Sequence, residues 1–456
     1  MGRSSTSTRG RLPVSEIRAD DPALTRFAGA IPLVAFMTQE LRLIPALRDV
    51  VRYRGRKRLY VPHLLLFSFV VGVLVGVERM AHLEWLRDDA VLLKWLRLPS
   101  WPVRKVFSKA LESLTEAGRT RLEALVGELG VATLPAGTTS VVVDIDPTAL
   151  VDYGTAEGSK FGYCGKGRRR RRHYPIVASL AETRAVLAAV YRGGDQLNSA
   201  ELLAFFQRAR KRIVDTLGSG VTVFFRGDSG MGMTPVVNWL MEQGHSFAFA
   251  LAMRPQIKSM LVQAQWSVDP DDEMIEFTKV AGRVCGLPDG TWVIGIRRRD
   301  DDDENPAQGK LLPGCRTYRY QSLITSEDWE AQDVWRFYNH RADCERVFRV
   351  GKQVLGMGHL VSRTYSANAA AFLLRLLAFN IDIRFQQKAE ELAEDQGRKV
   401  HRVGLQWRQF RFYCSPGRLL REHGRWILRV PTNPSLARVW AFYRPLIGTP
   451  ANGSAM

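Results

Sequence analysis

Cysteine is scarce and badly placed for structure. The five residues, Cys164, Cys285, Cys315, Cys344 and Cys414, are scattered, odd in number and form no C-x-x-C pair. That excludes a disulfide framework and a zinc site of the usual spacing. Free thiols in a reducing cytoplasm are the expectation. Histidine is equally thin, eight residues in no metal-ligand pattern. Long apolar runs are missing too. The longest, Leu64 to Val77, is interrupted by Ser68 and flanked by His63 and Glu78-Arg79. It falls short of the roughly 20 residues that cross a bilayer and reads as a buried helix. The first fifteen residues are polar and basic with no apolar core, so no export signal and no membrane partner are expected. Acid is in deficit: 46 Asp and Glu face 65 Lys and Arg, a formal charge of +19. Such a surplus favours a polyanionic partner, nucleic acid first and an anionic membrane surface as the rival.

What is present looks globular. The chain has 456 residues, 46% hydrophobic and 24% charged, enough for two to four structural units. Residues 1–20 read as a loose basic tail, a disordered segment. Residues 21–137 read as helical, with Ser100 as a candidate N-cap before Pro102. Arg104, Lys105 and Lys109 on the next short helix fit either a DNA-reading helix pair or a plain bundle. The texture changes near Pro135. Ser140–Asp146 is a β-branched strand stopped by Pro147, and Tyr174–Leu180 and Ala185–Tyr191 read as a hairpin around Glu182-Thr183-Arg184. Ser199–Leu217 reads as a helix, Val221–Arg226 as a strand, Thr234–Gln243 as a helix and Ser246–Ala252 as a fifth strand. A three-strand meander followed by alternating helix and strand is the plan of an RNase H-like α/β core, here assigned to 138–252 and resumed at 319–366. Residues 253–318 read as a mostly β insertion subdomain. Residues 367–456 read as a helical C-terminal region, a candidate for dimer contact.

Two carboxylates stand at strand ends, Asp146 before Pro147-Thr148 and Asp228 within Arg226-Gly227-Asp228-Ser229-Gly230. Polar residues at the ends of apolar strands are where α/β folds place functional groups. Asp144, two residues before Asp146, shares its face, so either acid is able to ligate metal. A third acid, Glu345, lies on a helical stretch with Tyr338, Arg341 and Lys352. On a continuous helix these four fall within about 60° of one another. Such a stripe presents a phenol, a guanidinium, a carboxylate and an ammonium together. It suits phosphate binding around a metal-bound acid, or an ordinary ion-paired helix face. Phosphodiester chemistry needs an attacking oxygen activated and a leaving oxygen stabilised, which two divalent ions held by carboxylates supply.

Tyr338-(2)-Arg341-(3)-Glu345-(6)-Lys352 resembles, without a gap, the Y-(2)-R-(3)-E-(6)-K signature of bacterial insertion-sequence transposases. With Asp146-Pro147-Thr148, Tyr153-Gly154, His173-Tyr174-Pro175 and Arg226-Gly-Asp228-Ser-Gly, the sequence is similar to the DDE transposases of the "transposase DDE domain group 1" type over roughly residues 50 to 430. The resemblance implies an RNase H-like core with Asp146, Asp228 and Glu345 as catalytic and metal-binding triad, Mg²⁺ as cofactor and Mn²⁺ as substitute. The family's D-x-T pattern favours Asp146 over Asp144 as the first acid. It implies cut-and-paste transposition: nicking at terminal inverted repeats, hairpin formation and strand transfer to target DNA. Partners would be double-stranded DNA and a second copy of the chain in a synaptic complex, in the bacterial cytoplasm at the nucleoid. A family role for a base-stacking Trp in the insertion falls on Trp292, against a Trp simply packed between strands. A nuclease that cuts without joining, and a silent or domesticated DNA-binding copy, are the alternatives.

Lys166 to Arg172 sets Lys166, Arg168, Arg169, Arg170, Arg171 and Arg172 in one run. As a loop beside the acids it would hold phosphates without reading bases. Asp300–Glu304 is five acids in a row, read as a solvated loop and not a metal site.

Overall fold

The structure, a computed structural model, describes residues 21–51, 59–165, 167–285, 287–300, 317–398, 403–431 and 434–447. The expected tail at 1–20, Lys166, the acidic run beyond Asp300 and the final stretch after Pro450 lie outside the described residues. So do the side chains of residues 342–345, including that of Glu345.

The described chain begins with β1 (Leu24–Thr25) and six helices: α1 (Ala30–Gln39), α2 (Leu43–Val51), α3 (Pro62–Leu74), α4 (Ala90–Trp95), α5 (Arg104–Glu112) and α6 (Glu116–Val131). Pro62 sits in the first turn of α3, where a missing N–H costs nothing. Thr115 caps α6 by accepting from the Gly118 amide at 3.1 Å. The apolar stretch from Leu64 to Leu86 is not one helix. It turns at Gly76, whose φ of 102° suits glycine, and resumes as a 3₁₀ turn at Met80–Leu86. Ser100 is not the cap expected of it: α5 starts after Val103, and the Ser100 hydroxyl pairs with that of Tyr60 at 2.8 Å.

Next come β2 (Ser140–Pro147), β3 (Leu150–Val151), β4 (Lys160–Tyr163), β5 (Arg169–His173), β6 (Ile176–Leu180), β7 (Val186–Val190), α7 (Ser199–Leu217), β8 (Thr222–Gly227), α8 (Thr234–Glu242) and β9 (Ser246–Ala250). In space the core order is β7-β6-β2-β8-β9. β6 and β7 run antiparallel to their neighbours, while β2, β8 and β9 are mutually parallel. A meander joined to two parallel crossovers in this order is the RNase H-like sheet. α7 is capped by Asn198, one residue before the expected Ser199, with its side chain accepting from the Glu201 amide at 2.8 Å.

α9 (Pro255–Gln263), β10 (Ser267–Val268), β11 (Ile275–Ala281), β12 (Trp292–Asp300) and β13 (Thr317–Thr325) follow. They do not stand apart from the core. β13 pairs antiparallel with β9, and the sheet continues as β13-β12-β11-β10 to nine strands in all among the described residues. A boundary at 318 therefore falls inside β13. Alternating apolar residues announce a strand, but they do not name the edge it pairs with.

The rest is α10 (Ala331–Asn339), a 3₁₀ turn at His340–Asp343, α11 (Cys344–Gln353), α12 (Tyr365–Asp395), α13 (Leu405–Trp407), β14 (Gly417–Glu422), β15 (Arg425–Arg429) and α14 (Pro434–Tyr443). The C-terminal region is not all helical: β14 and β15 form a hairpin turned by His423 and Gly424 at φ 50° and 77°, and β14 pairs with β1. α12 is long and apolar enough to cross a membrane by length and composition, yet 89% of its apolar window is buried inside the protein. It is the spine of a helical core with α3, α5 and α6, docked on the β7 edge of the sheet. α7 and α8 cover one face of the sheet through Phe205, Phe206, Val237 and Leu240. α10 covers the other through Val334 and Tyr338.

Candidate active site

Side chains alternate along β2. Val141, Val143 and Ile145 enter the core under α7 and α8, so Asp144 and Asp146 point to the α10 face. β8 lies beside β2 in parallel, with Asp144 opposite Arg226 and Ile145 opposite Gly227. Continuing that register by one residue sets Asp146 beside Asp228, at the carboxyl ends of adjacent parallel strands. Gly227 is required there: a Cβ would meet Met231 Cγ at 2.4 Å. Asp228 accepts from the Gly230 amide at 2.9 Å, which fixes the turn after the strand.

The two acids on β2 have different fates. Both oxygens of Asp144 are taken by Arg226, from Nε at 2.7 Å and from the second terminal nitrogen at 3.0 Å, with both side chains buried. Asp146 receives Arg341 at 2.5 Å and keeps its place near Asp228. Burial pushes the Asp146 carboxyl up to about 7, with Arg341 opposing and the charge of Asp228 adding to the rise. Of the two acids between which the sequence leaves the choice open, Asp146 is the one that faces the second carboxylate.

Arg226 also reaches the third element. It donates to the carbonyl of Phe337 at 2.8 Å, one residue before Tyr338 at the end of α10. One guanidinium thus bridges β2, β8 and the segment leading to Glu345. Sequence reasoning named Arg226 only as part of a motif. An arginine directly before Gly-Asp at a strand end, two residues from the acid, was the available signal.

The Tyr-Arg-Glu-Lys stripe is not on one straight helix. The 3₁₀ turn at His340–Asp343 separates α10 from α11, so Tyr338 and Lys352 sit on different helices. Tyr338 is packed against the sheet at 6% exposure, not presented to solvent. The Arg341 guanidinium carbon lies 5.4 Å from its ring centroid. Lys352 donates to the Ala149 carbonyl at 3.1 Å, just past the end of β2. Burial lowers its pKa. Glu345 is the second residue of α11, and α11 is anchored in the helical core by Val347.

The basic run is a strand and its flank, not a loop. β5 pairs with β3 and β4 in a small three-stranded sheet. Arg168, Arg169 and Arg170 are exposed. Arg171 is turned onto Ser159, donating to its hydroxyl at 3.2 Å and its carbonyl at 2.8 Å. Arg172 is buried, bonded to the Tyr163 carbonyl and stacked 3.7 Å from the Tyr174 ring centroid. Five arginines disguised a strand because alternation of character, the usual signal, is absent when both faces carry the same residue. Tyr174 was also missed as a neighbour of the acids. Burial raises its phenol, and the charges of Asp228 and Asp146 both act on it.

Trp292 is on β12. The pairings Trp292–Thr325, Thr325–Ala248, Ala248–Arg226 and Arg226–Asp144 put it on the same sheet face as the acids. It stands three strands from Arg226, roughly 14 Å away across the sheet. Lys279 sits 4.4 Å from its ring centroid, and it packs against the cluster of Phe277 and Ile294.

A pair of hard oxygen donors on neighbouring strand ends, one of them raised by its own burial and by the other's charge, fits a divalent cation. Among the described residues no three His, Cys, Asp or Glu side chains gather as a metal site, Glu345 lying outside them.

The profile of the family described as transposase DDE domain group 1 matches residues 16–411. No curated protein matches the chain. Among solved structures, the piggyBac transposase synaptic complex with hairpin DNA aligns over 93% of this chain and 82% of that one, at 10% identity and a TM-score of 0.43.

Proposed function

The chain belongs to the transposase DDE domain group 1 family, and from that premise we propose that it cuts and joins DNA at the ends of a mobile element, using Asp146, Asp228 and Glu345 with Mg²⁺ or Mn²⁺. The observation that carries this reading is the β2–β8 register, which continued by one residue sets Asp146 beside Asp228 at the strand ends, on the face that α10 covers. When bound, divalent ions supply activation of the attacking oxygen and stabilisation of the leaving oxygen. Asp146 and Asp228 are the ligands the described residues offer, and Glu345 at the start of α11 is the third. Arg341 balances the charge of Asp146 and orients its carboxylate. Lys352 holds the chain just beyond β2 through Ala149 and so fixes the exit of the acid strand against α11. The exposed Arg168, Arg169 and Arg170 add a phosphate-binding edge. The +19 charge supports double-stranded DNA as the partner. Two element ends must be held together for transposition, so a synaptic homodimer completes the reading.

Joining separates a transposase from a nuclease on the same core. A labelled duplex of the element's terminal repeat, already cut to expose its 3′-OH, is incubated with supercoiled plasmid and Mg²⁺. The proposed function predicts label covalently attached to plasmid with the wild-type chain and none with Asp146→Asn. Cutting of uncut repeat duplex without any plasmid attachment would reassign the chain to hydrolysis alone.

A further inference from the structure

A second feature lies past the end of the acid strand. A cleft of about 760 Å³ opens between the 3₁₀ turn at Met80–Leu86, the start of α5 and the turn after β3. Its lining includes Arg79, Arg104 and Lys105, all exposed. None of the three has an ion-pair partner among the described residues. The lining also includes Tyr153, 86% exposed, with the Arg170 guanidinium carbon 5.6 Å from its ring centroid. The acid lining the cleft, Asp152, is already engaged: its two oxygens accept the amides of Gly154 and Ala156, each at 2.8 Å. In the adjoining hollow, Glu84 is paired with Arg87 at 4.0 Å. The cleft is therefore net positive, three cations against the one carboxylate of Asp152, and Val151 in its lining is five residues along the chain from Asp146.

We propose that this cleft seats the sugar-phosphate backbone of one DNA strand next to the bond being cut, with Arg79, Arg104 and Lys105 on phosphates and the Tyr153 ring against a sugar or an unpaired base. This assignment rests on the transposase reading for the identity of the polyanion. A strand suits the lining better than a small anion because the cations come from two separate elements, Arg79 before the 3₁₀ turn and Arg104 and Lys105 at the start of α5, and because an exposed aromatic ring joins them. The cleft is close to the site along the chain: Ala149, held by Lys352 at the link between β2 and β3, is two residues before Val151 of the lining.

The test uses the full chain and a fluorescent duplex of arbitrary sequence, without divalent metal, across a range of salt concentrations. The triple variant Arg79→Gln/Arg104→Gln/Lys105→Gln is expected to lose affinity at least about tenfold at low salt, and its plot of log affinity against log salt to flatten by about 2.7, three phosphate contacts at 0.9 each. Tyr153→Ala should weaken binding with the wild-type slope kept. Arg208→Gln/Lys211→Gln, on α7 across the sheet from the acids, should keep the wild-type slope. A triple variant that folds and retains the wild-type slope overturns the assignment, leaving the cleft to an acidic protein or to nothing. A wild-type chain with no salt-dependent DNA binding overturns the proposed function itself, and the cleft assignment with it.

Discussion

Buried charge needs a partner, and at the centre of this site Arg226 and Asp144 are each other's. Their bidentate contact sits between strands with almost no solvent access. Removing one side leaves the other unpaired in the interior, at a cost of about 3–5 kcal/mol, whereas replacing both by apolar groups of similar volume is nearly neutral. Arg226→Met is expected to lower stability by about that amount, and Asp144→Leu/Arg226→Met to recover most of it, read from denaturant midpoints. Additive losses in the double variant would show that the pair is not the interaction described. The same pair explains what was legible at this scale. The acids at strand ends could be read from Pro147 and from Gly227-Asp228-Ser229-Gly230. The choice between Asp144 and Asp146 could not be read from the strand alone, because it depends on a residue 82 positions away that only the parallel register brings alongside. Tyr338 and Arg341 show a similar limit: helical spacing placed them on one stripe, and packing buried one and turned the other onto Asp146.

Among the elements, the core strands and helices were legible because each carries one apolar face and ends at Pro, Gly or a capping side chain. β3, β4 and β5 were not, since two of them are very short or uniformly basic. The β14–β15 hairpin was hidden within a stretch whose aromatics suit helix or strand alike. The 3₁₀ turn between α10 and α11 was hidden because no Gly or Pro lies among its residues, His340 to Asp343, to mark a break in the helical pattern. The edge strand β7 shows how the helical region and the sheet are held as one body. Asn380 of α12 accepts from the Val186 amide at 2.8 Å and donates to the Val186 and Val126 carbonyls, each at 2.8 Å. Glu123 of α6 accepts from the Ala189 amide at 3.1 Å. Side chains thus complete hydrogen bonds that a further strand would otherwise make. Asn380→Leu keeps the heavy-atom branching and removes three bonds, so unfolding should become easier by about 3 kcal/mol, measured by chemical denaturation. An unchanged midpoint would mean that water replaces the amide at this edge.

At the scale of the whole molecule, one sheet carries both the RNase H-like core and the strands that were read as a separate insertion. A strand signal is local, while sheet continuity is a property of the pairing between β9 and β13, which are separated by 66 intervening residues. The helical region closes the β7 end, α7 and α8 close one face, and the face bearing Asp146 and Asp228 lies under α10 next to the basic β5 flank. The central claim is that this pair, with Glu345, drives metal-dependent cleavage of DNA. It is tested most directly by nicking of a labelled terminal-repeat duplex over a series of Mg²⁺ concentrations, comparing the wild type with Asp228→Asn and Glu345→Gln, and with binding measured in parallel. The account predicts Mg²⁺-dependent nicking by the wild type and at least about a hundredfold loss in both variants, roughly 2.7 kcal/mol or more of barrier, with binding retained. Nicking that persists in either variant, or that needs no divalent metal, would contradict it.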